Sequence, residues 1–140
     1  MAAKIILGVA ASDAHAVANH LIAHLLRARG YQVVNLGTCT PIAEFVEAHR
    51  AHPDAVAALI GSLNGHARDD LAELPAVRAA GELSLPVIVG GNLSVGSEKD
   101  GQEAQRLLDL GVDHVLAELS ELLPLLERLA SGQLAELGLR

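Results

Sequence analysis

Residues 4–36 read KIILGVAASDAHAVANHLIAHLLRARGYQVVNL. The opening run, Lys4–Ala10, is short and apolar, the pattern of a parallel strand covered on both faces. From Ala14 to Arg29 apolar residues recur at spacings of three and four, which predicts a helix. Gly30 follows where a left-handed C-terminal cap is wanted. Tyr31–Leu36 (YQVVNL) is a second apolar run, so the stretch reads as strand, helix, strand.

The same alternation continues to the end of the chain. Further apolar runs lie at Ala55–Ile60, Pro86–Val89 and His114–Ala117. Helical spacing marks Pro41–Arg50, Asp69–Ala80 and Gln102–Leu110, with a last helix from near Leu119 almost to Arg140, broken at Ser131-Gly132. Gly81 and Gly111 stand as C-caps and Pro41 opens the second helix. Strict β-α alternation implies right-handed crossovers and a doubly wound parallel sheet. With five strands the expected fold is α/β, flavodoxin-like (Rossmann-like), in the order 2-1-3-4-5, as one domain over residues 1–140.

Composition agrees with that expectation. The chain has 140 residues, 51% of them hydrophobic, enough for one compact core. Phe45 and Tyr31 are the only aromatics, so Leu, Val, Ile and Ala must build the interior. A net charge of −7 without a basic cluster argues against a nucleic-acid partner. No stretch approaches the roughly 20 apolar residues of a membrane span. The N-terminus passes straight into periodic structure, unlike a signal peptide. With Cys39 as its one cysteine, the chain is expected to form no internal disulfide and to reside in the cytoplasm.

In the expected order, strands 1 and 3 are neighbours and the chain reverses direction between them. Ligands bind at the carboxyl ends of strands at such a switch point. ASDAH after strand 1, GSLNGH after strand 3 and GGNLSVG after strand 4 should therefore converge on one rim. Asp13 can cap the first helix. It can also hold one nitrogen of His15, leaving the other free and aimed, as behind a metal-ligating histidine. GSLNGH also suits an ordinary strand-to-helix turn. Paired glycines at a strand end fit a place where something large packs against bare backbone.

Other constellations are weaker. His20 and His24 share a helix face, but no third metal ligand is evident and solvated or packed histidines are the better reading. GGNLSVG lacks the G-x-G-x-x-G spacing of a dinucleotide site. Gly61-Ser62 stands where a phosphoacceptor domain of this fold would want an aspartate, and there is no G-x-S-x-G elbow for a serine hydrolase. Cys39, in GTCTP after strand 2, reads as a buried or incidental thiol.

With these loops in view, the sequence resembles the cobalamin-binding domains that carry D-x-H-x-x-G, then S-x-L, then G-G. Within that family it looks most like the small subunits of glutamate mutase (methylaspartate mutase). Residues 7–41, LGVAASDAHAVANHLIAHLLRARGYQVVNLGTCTP, carry most of the likeness, with GSLNGH and VGGNLSVG as the later loops. The resemblance implies adenosylcobalamin as cofactor, with His15 displacing the dimethylbenzimidazole base to become the lower axial ligand of cobalt. Asp13 would be the hydrogen-bond partner of His15. The freed nucleotide tail would lie between the first helix and the sheet, against Gly90 and Gly91. The implied cofactor-binding set is Ser12, Asp13, Ala14, His15, Ala16 and Ala18; then Gly61, Ser62 and Leu63; then Gly90, Gly91, Asn92, Leu93, Ser94, Val95 and Gly96.

In the family, a larger barrel-type catalytic subunit covers the upper face of the corrin and binds the amino acid. Cobalt–carbon homolysis there yields the deoxyadenosyl radical that starts interconversion of glutamate and 3-methylaspartate. The resemblance therefore implies a cofactor-carrying subunit with no catalytic residue of its own, inactive alone, and a heterotetramer as one assembly with its partner. Three departures stand out. Ala18 replaces the glycine of D-x-H-x-x-G, and Gly61 replaces the serine of S-x-L, whose hydroxyl would touch the buried base. Ser62, next door, need not point the same way. The loop after strand 5 reads AELSELLP, without the family's frequent Gly-Thr. A non-catalytic cobalamin carrier or sensor is the alternative reading. A methyl-transfer corrinoid protein fits less well, since those usually carry a helical cap ahead of the domain. A flavodoxin-like protein that binds no corrin is the plainest alternative.

Overall fold

The computed structural model of the protein describes residues 3–10, 16–62, 67–91 and 101–136. Among these, strands β1 (Lys4–Val9), β2 (Gln32–Asn35), β3 (Ala57–Ser62), β4 (Val87–Gly91) and β5 (His114–Leu116) form a parallel sheet in the order β2-β1-β3-β4-β5. That is the order the alternation predicts. The helices are α1 (Ala16–Ala28), α2 (Ile42–Ala51), α3 (Ala67–Asp70), α4 (Leu74–Ala79), α5 (Gly101–Asp109) and α6 (Leu122–Glu136). None of them, among the described residues, is long and apolar enough to cross a membrane.

Strand alternation sorts the apolar residues into two layers. Ile5, Leu7, Leu59 and Ile88 turn to the face covered by Ala23 and Leu26 of α1 and by Leu122 and Leu126 of α6. Ile6, Ala58, Ile60 and Val89 turn to the other face, under Phe45 of α2, Leu74 of α4 and Leu107 of α5. Each fully buried Leu or Ile contributes about 1.5–3 kcal/mol, so these two layers dominate the stability. Phe45 lies so close to β1 that a Cβ on Gly8 would come within 2.7 Å of its ring. Glycine at position 8 is therefore demanded by the protein's own packing.

The expected C-caps are present. Gly30 has φ +91°, and the N–H groups of Gly30 and Tyr31 return to the carbonyls of Arg27 and Leu26. This double bond pattern closes α1 and turns the chain into β2. Gly81 and Gly111 end α4 and α5 by the same pairing.

Several boundaries differ from expectation. β3 starts two residues late and runs through Gly61-Ser62, and β4 runs through Gly90-Gly91. Parallel register pairs Gly61 with Gly90 and Ser62 with Gly91, so ladder hydrogen bonds outweigh the poor strand propensity of glycine. The expected helix Asp69–Ala80 is two short helices, because Pro75 has no N–H to continue a helix from the preceding turn. Pro41 precedes α2 as its cap residue, at φ −73°. α6 runs unbroken through Ser131-Gly132. A glycine costs a helix only about 1 kcal/mol, too little to break one anchored by Leu122, Leu125 and Leu126. Cys39 is exposed rather than buried, on a turn with φ +53°.

Candidate functional site

β1 lies between β2 and β3, so the order in which strands are laid down reverses between β1 and β3, and the carboxyl ends of these parallel strands flank a crevice. A cavity of about 370 Å³ occupies it, bounded by α1, the sheet and the start of α6. Its floor includes bare backbone, with Gly61 and Gly90 side by side on adjacent strands. A Cβ on Gly61 would meet no atom closer than 3.9 Å. One on Gly90 would rest against Leu116 at 3.5 Å, an ordinary contact. Neither glycine is required by the chain's own packing, in contrast with Gly8. Their effect is to leave a flat, open surface where side chains would otherwise stand.

The walls are mostly apolar. Ala18 and Ile22 of α1 face Leu116, Leu119 and Leu122 across the gap. At the mouth, Leu21 is 64% exposed and Leu119 54% exposed, unusual for leucines beside an apolar cavity. The backbone N–H groups of Ala117 and Glu118, at the β5 end, both donate to Glu121 Oε1 at 2.8 Å. Those amides are satisfied internally, so the loop that lacks the family's Gly-Thr is stapled by a carboxylate.

Asn19 is the polar exception in the α1 wall. It is 3% exposed and lines the cavity. The N–H of Gly37 donates to Asn35 Oδ1 at 3.0 Å, which fixes the orientation of the Asn35 amide. Asn35 Nδ2 then donates to Asn19 Oδ1 at 2.8 Å. Asn19 Nδ2 remains, buried and without a hydrogen-bond partner. A buried donor left in that condition costs about 1–3 kcal/mol.

Of the residues singled out from the sequence, the structure brings Ala18, Gly61, Gly90 and Gly91 together around this cavity. Ala16 is the first residue of α1 and is exposed. Ser62 does not line the cavity; its fully buried Oγ has no partner. It cannot supply the hydroxyl missing at position 61, because successive strand residues face opposite sides. Ser12, Asp13, Ala14, His15, Leu63, Asn92, Leu93, Ser94, Val95 and Gly96 lie outside the described residues. His20 and His24 are exposed, and among the described residues no three His, Cys, Asp or Glu side chains gather as a metal site. Sequence reasoning missed Asn19, Leu119 and the Glu121 staple. Asn19 had a signal: it sits on the buried stripe of α1 with Ala23 and Leu26, where an apolar residue is expected.

A doubly wound sheet with an apolar, glycine-floored cavity at its switch point defines an α/β domain built to receive a sizeable organic group. Residues 3–123 match the family model described as B12 binding domain, and the chain belongs to that family. The glutamate mutase sigma subunit of Halobacterium salinarum is 42% identical over 113 residues, 81% of this chain and 75% of that protein. The glutamate mutase sigma subunit of Clostridium cochlearium is 36% identical over 114 residues, 81% of this chain and 82% of that protein. Among solved structures, a cobalamin-binding protein from Desulfitobacterium hafniense superposes with a TM-score of 0.73 at 22% identity. The alignment covers 91% of this chain and 59% of that one. The monomethylamine corrinoid protein of Methanosarcina barkeri gives 0.64 at 22% identity, over 86% of this chain and 55% of that one. These two likenesses are of fold.

Proposed function

We propose that this chain is the cobalamin-binding subunit of an adenosylcobalamin-dependent carbon-skeleton mutase resembling glutamate mutase, which interconverts glutamate and 3-methylaspartate by radical rearrangement. The observation that carries the reading is the cavity floored by Gly61 and Gly90, which the side chains of the described residues leave open. A planar lower base fits apolar walls and a bare floor, and the unpartnered amide of Asn19 offers it a donor. The residues present therefore suit the group, although Gly61 withholds the serine hydroxyl and Ala18 adds a methyl. The sigma-subunit relatives, which extend over four-fifths of this chain, support the same assignment.

In this reading the cavity would hold the nucleotide tail, and His15, which precedes α1 in the sequence, would be the residue that holds the cobalt. Asp13 would be the hydrogen-bond partner that sets the tautomer of that imidazole, leaving its other nitrogen free to bind the metal. The apolar walls exclude water from the base, and the sheet rim positions the corrin. When bound, the cofactor supplies a cobalt–carbon bond that can break homolytically, and the radical chemistry is its own. The substrate pocket belongs to a larger barrel-type partner subunit, with which the chain forms a heterotetramer. The chain is inactive alone and works in the cytoplasm as one cobalamin-binding domain, residues 1–140.

Two measurements test this. The protein incubated with hydroxocobalamin and desalted should remain red; a colourless protein overturns the reading. In the bound Co(II) form, the paramagnetic resonance spectrum should show coupling to an imidazole nitrogen, lost in His15→Ala. An unchanged spectrum in that variant refutes the ligand assignment.

A further inference from the structure

We infer that Asn19 is the specificity-determining donor of the cavity, giving its free amide hydrogen to the ring nitrogen of the occupant's heteroaromatic base. The inference rests on the proposed cobalamin reading and deepens it. Three observations meet at this side chain.

First, its orientation is forced. The N–H of Gly37 can only donate, so Asn35 Oδ1 accepts, Asn35 Nδ2 donates, and Asn19 Oδ1 accepts. Asn19 Nδ2 is the one atom of this relay left unpaired, a buried donor on a residue that lines the cavity. Second, the other polar group expected to meet the base is absent. Position 61 is glycine, and the Ser62 hydroxyl is not among the groups that line the cavity. Among the described residues lining the cavity, the remaining charged or polar side chain is Glu118, an exposed acceptor at the rim. Third, the chemistry of the occupant is complementary. A benzimidazole released from cobalt carries a ring nitrogen with a free lone pair into an apolar space. That acceptor needs a donor, as Asn19 Nδ2 needs an acceptor. Each shortage answers the other.

Three probes separate the possibilities. Cobalamin carries a nitrogenous base; a phenolyl cobamide keeps the nucleotide tail but has no ring nitrogen; cobinamide lacks the tail. Dissociation constants for all three are measured with the wild-type protein, Asn19→Ala and Asn19→Asp, from the spectral change on binding. Asn19→Asp keeps the shape and can still accept from Asn35, while replacing the free donor with an acceptor. Both variants should bind cobalamin about tenfold to a hundredfold more weakly, with the phenolyl cobamide and cobinamide little changed. Because the comparison is a ratio within each variant, a reduced fraction of folded protein cancels.

Equal weakening toward all three probes, or none toward cobalamin, overturns the inference. Equal loss for cobalamin and the phenolyl cobamide overturns it too, since the donor would then meet sugar or phosphate. A wild-type protein that binds no probe at all overturns the cobalamin reading itself. The two failures are thus distinguishable.

Discussion

Gly61→Val should make the protein more stable and worse at holding a cobalamin, an inversion of the usual effect of a mutation in a central strand. The stability side follows from local geometry. Glycine inside a strand costs about 0.5–1 kcal/mol relative to alanine, through backbone entropy. A Cβ at this position meets nothing closer than 3.9 Å, so no overpacking offsets that gain. The two further methyls would each contribute up to about 0.8 kcal/mol if wholly buried. Because the cavity opens at its mouth beside the exposed Leu21 and Leu119, about half of that is realistic. The sum is about 1–2 kcal/mol. For a domain of this size, that corresponds to a rise in Tm of about 4–8 °C.

The binding side runs the other way. The valine methyls would stand on the floor beside Gly90, where the tail of the cofactor is proposed to lie. Forcing a rigid ring past them costs on the order of 1–3 kcal/mol, or about 5- to 150-fold in affinity. Cobinamide, having no tail, should bind as it does to the wild type. The assays are thermal unfolding of the cofactor-free protein by circular dichroism, and titration with cobalamin and cobinamide. A drop in Tm would show that position 61 is crowded and the floor is not open. A stabilised variant with wild-type cobalamin affinity would show that the tail lies elsewhere.

Gly132→Ala should raise stability by about 0.5–1 kcal/mol, since the residue lies within α6 and its Cβ would meet nothing within 4 Å; the urea midpoint reports it. Arg78→Lys should cost about 2–3 kcal/mol by the same measure. Its guanidinium donates to the carbonyls of Leu83 and Leu85 at 2.9 Å and to that of Gly111 at 3.0 Å, and it pairs with Asp113, a fan one ammonium cannot reproduce. Burial lowers the pKa of His49 below the usual 6.5, so the folded protein binds that proton less readily than the unfolded chain. Stability should therefore fall as pH drops through and below the ordinary imidazole range, and His49→Gln should reduce the drop. A pH dependence unaltered in that variant would remove His49 as a contributor.

The sheet order was legible because it depends on features that repeat. Five apolar runs, intervening helical periods and the C-capping glycines at 30, 81 and 111 each admit one reading, and together they leave one topology. Boundaries were less legible where two local preferences compete. Gly61-Ser62 and Gly90-Gly91 look like loop, yet each strand's edge is satisfied by the other, a fact that exists only once β3 and β4 are paired. Ser131-Gly132 looks like a break, yet the apolar stripe of α6 outweighs one glycine. Pro75 was a visible breaker inside an expected helix, and the amphipathic period masked it.

The site divides along the same line. Its glycines were visible in the sequence because bare backbone at a strand end has few other uses. Asn19 was not, because its meaning depends on Asn35 and Gly37, sixteen and eighteen residues further along the chain. Only the folded relay shows that its oxygen is committed and its nitrogen is free. The same reasoning separates the two serine-like positions near the floor. Position 61 faces the cavity and has no side chain, while Ser62 keeps its hydroxyl on the opposite side of the strand. An open floor and one unpaired donor suit a planar base with a single free ring-nitrogen lone pair. The chain tolerates both defects, an unfilled cavity and an unpaired amide, because the two apolar layers around the sheet carry the fold without them. Filling either defect from within should therefore stabilise the protein and exclude the ligand.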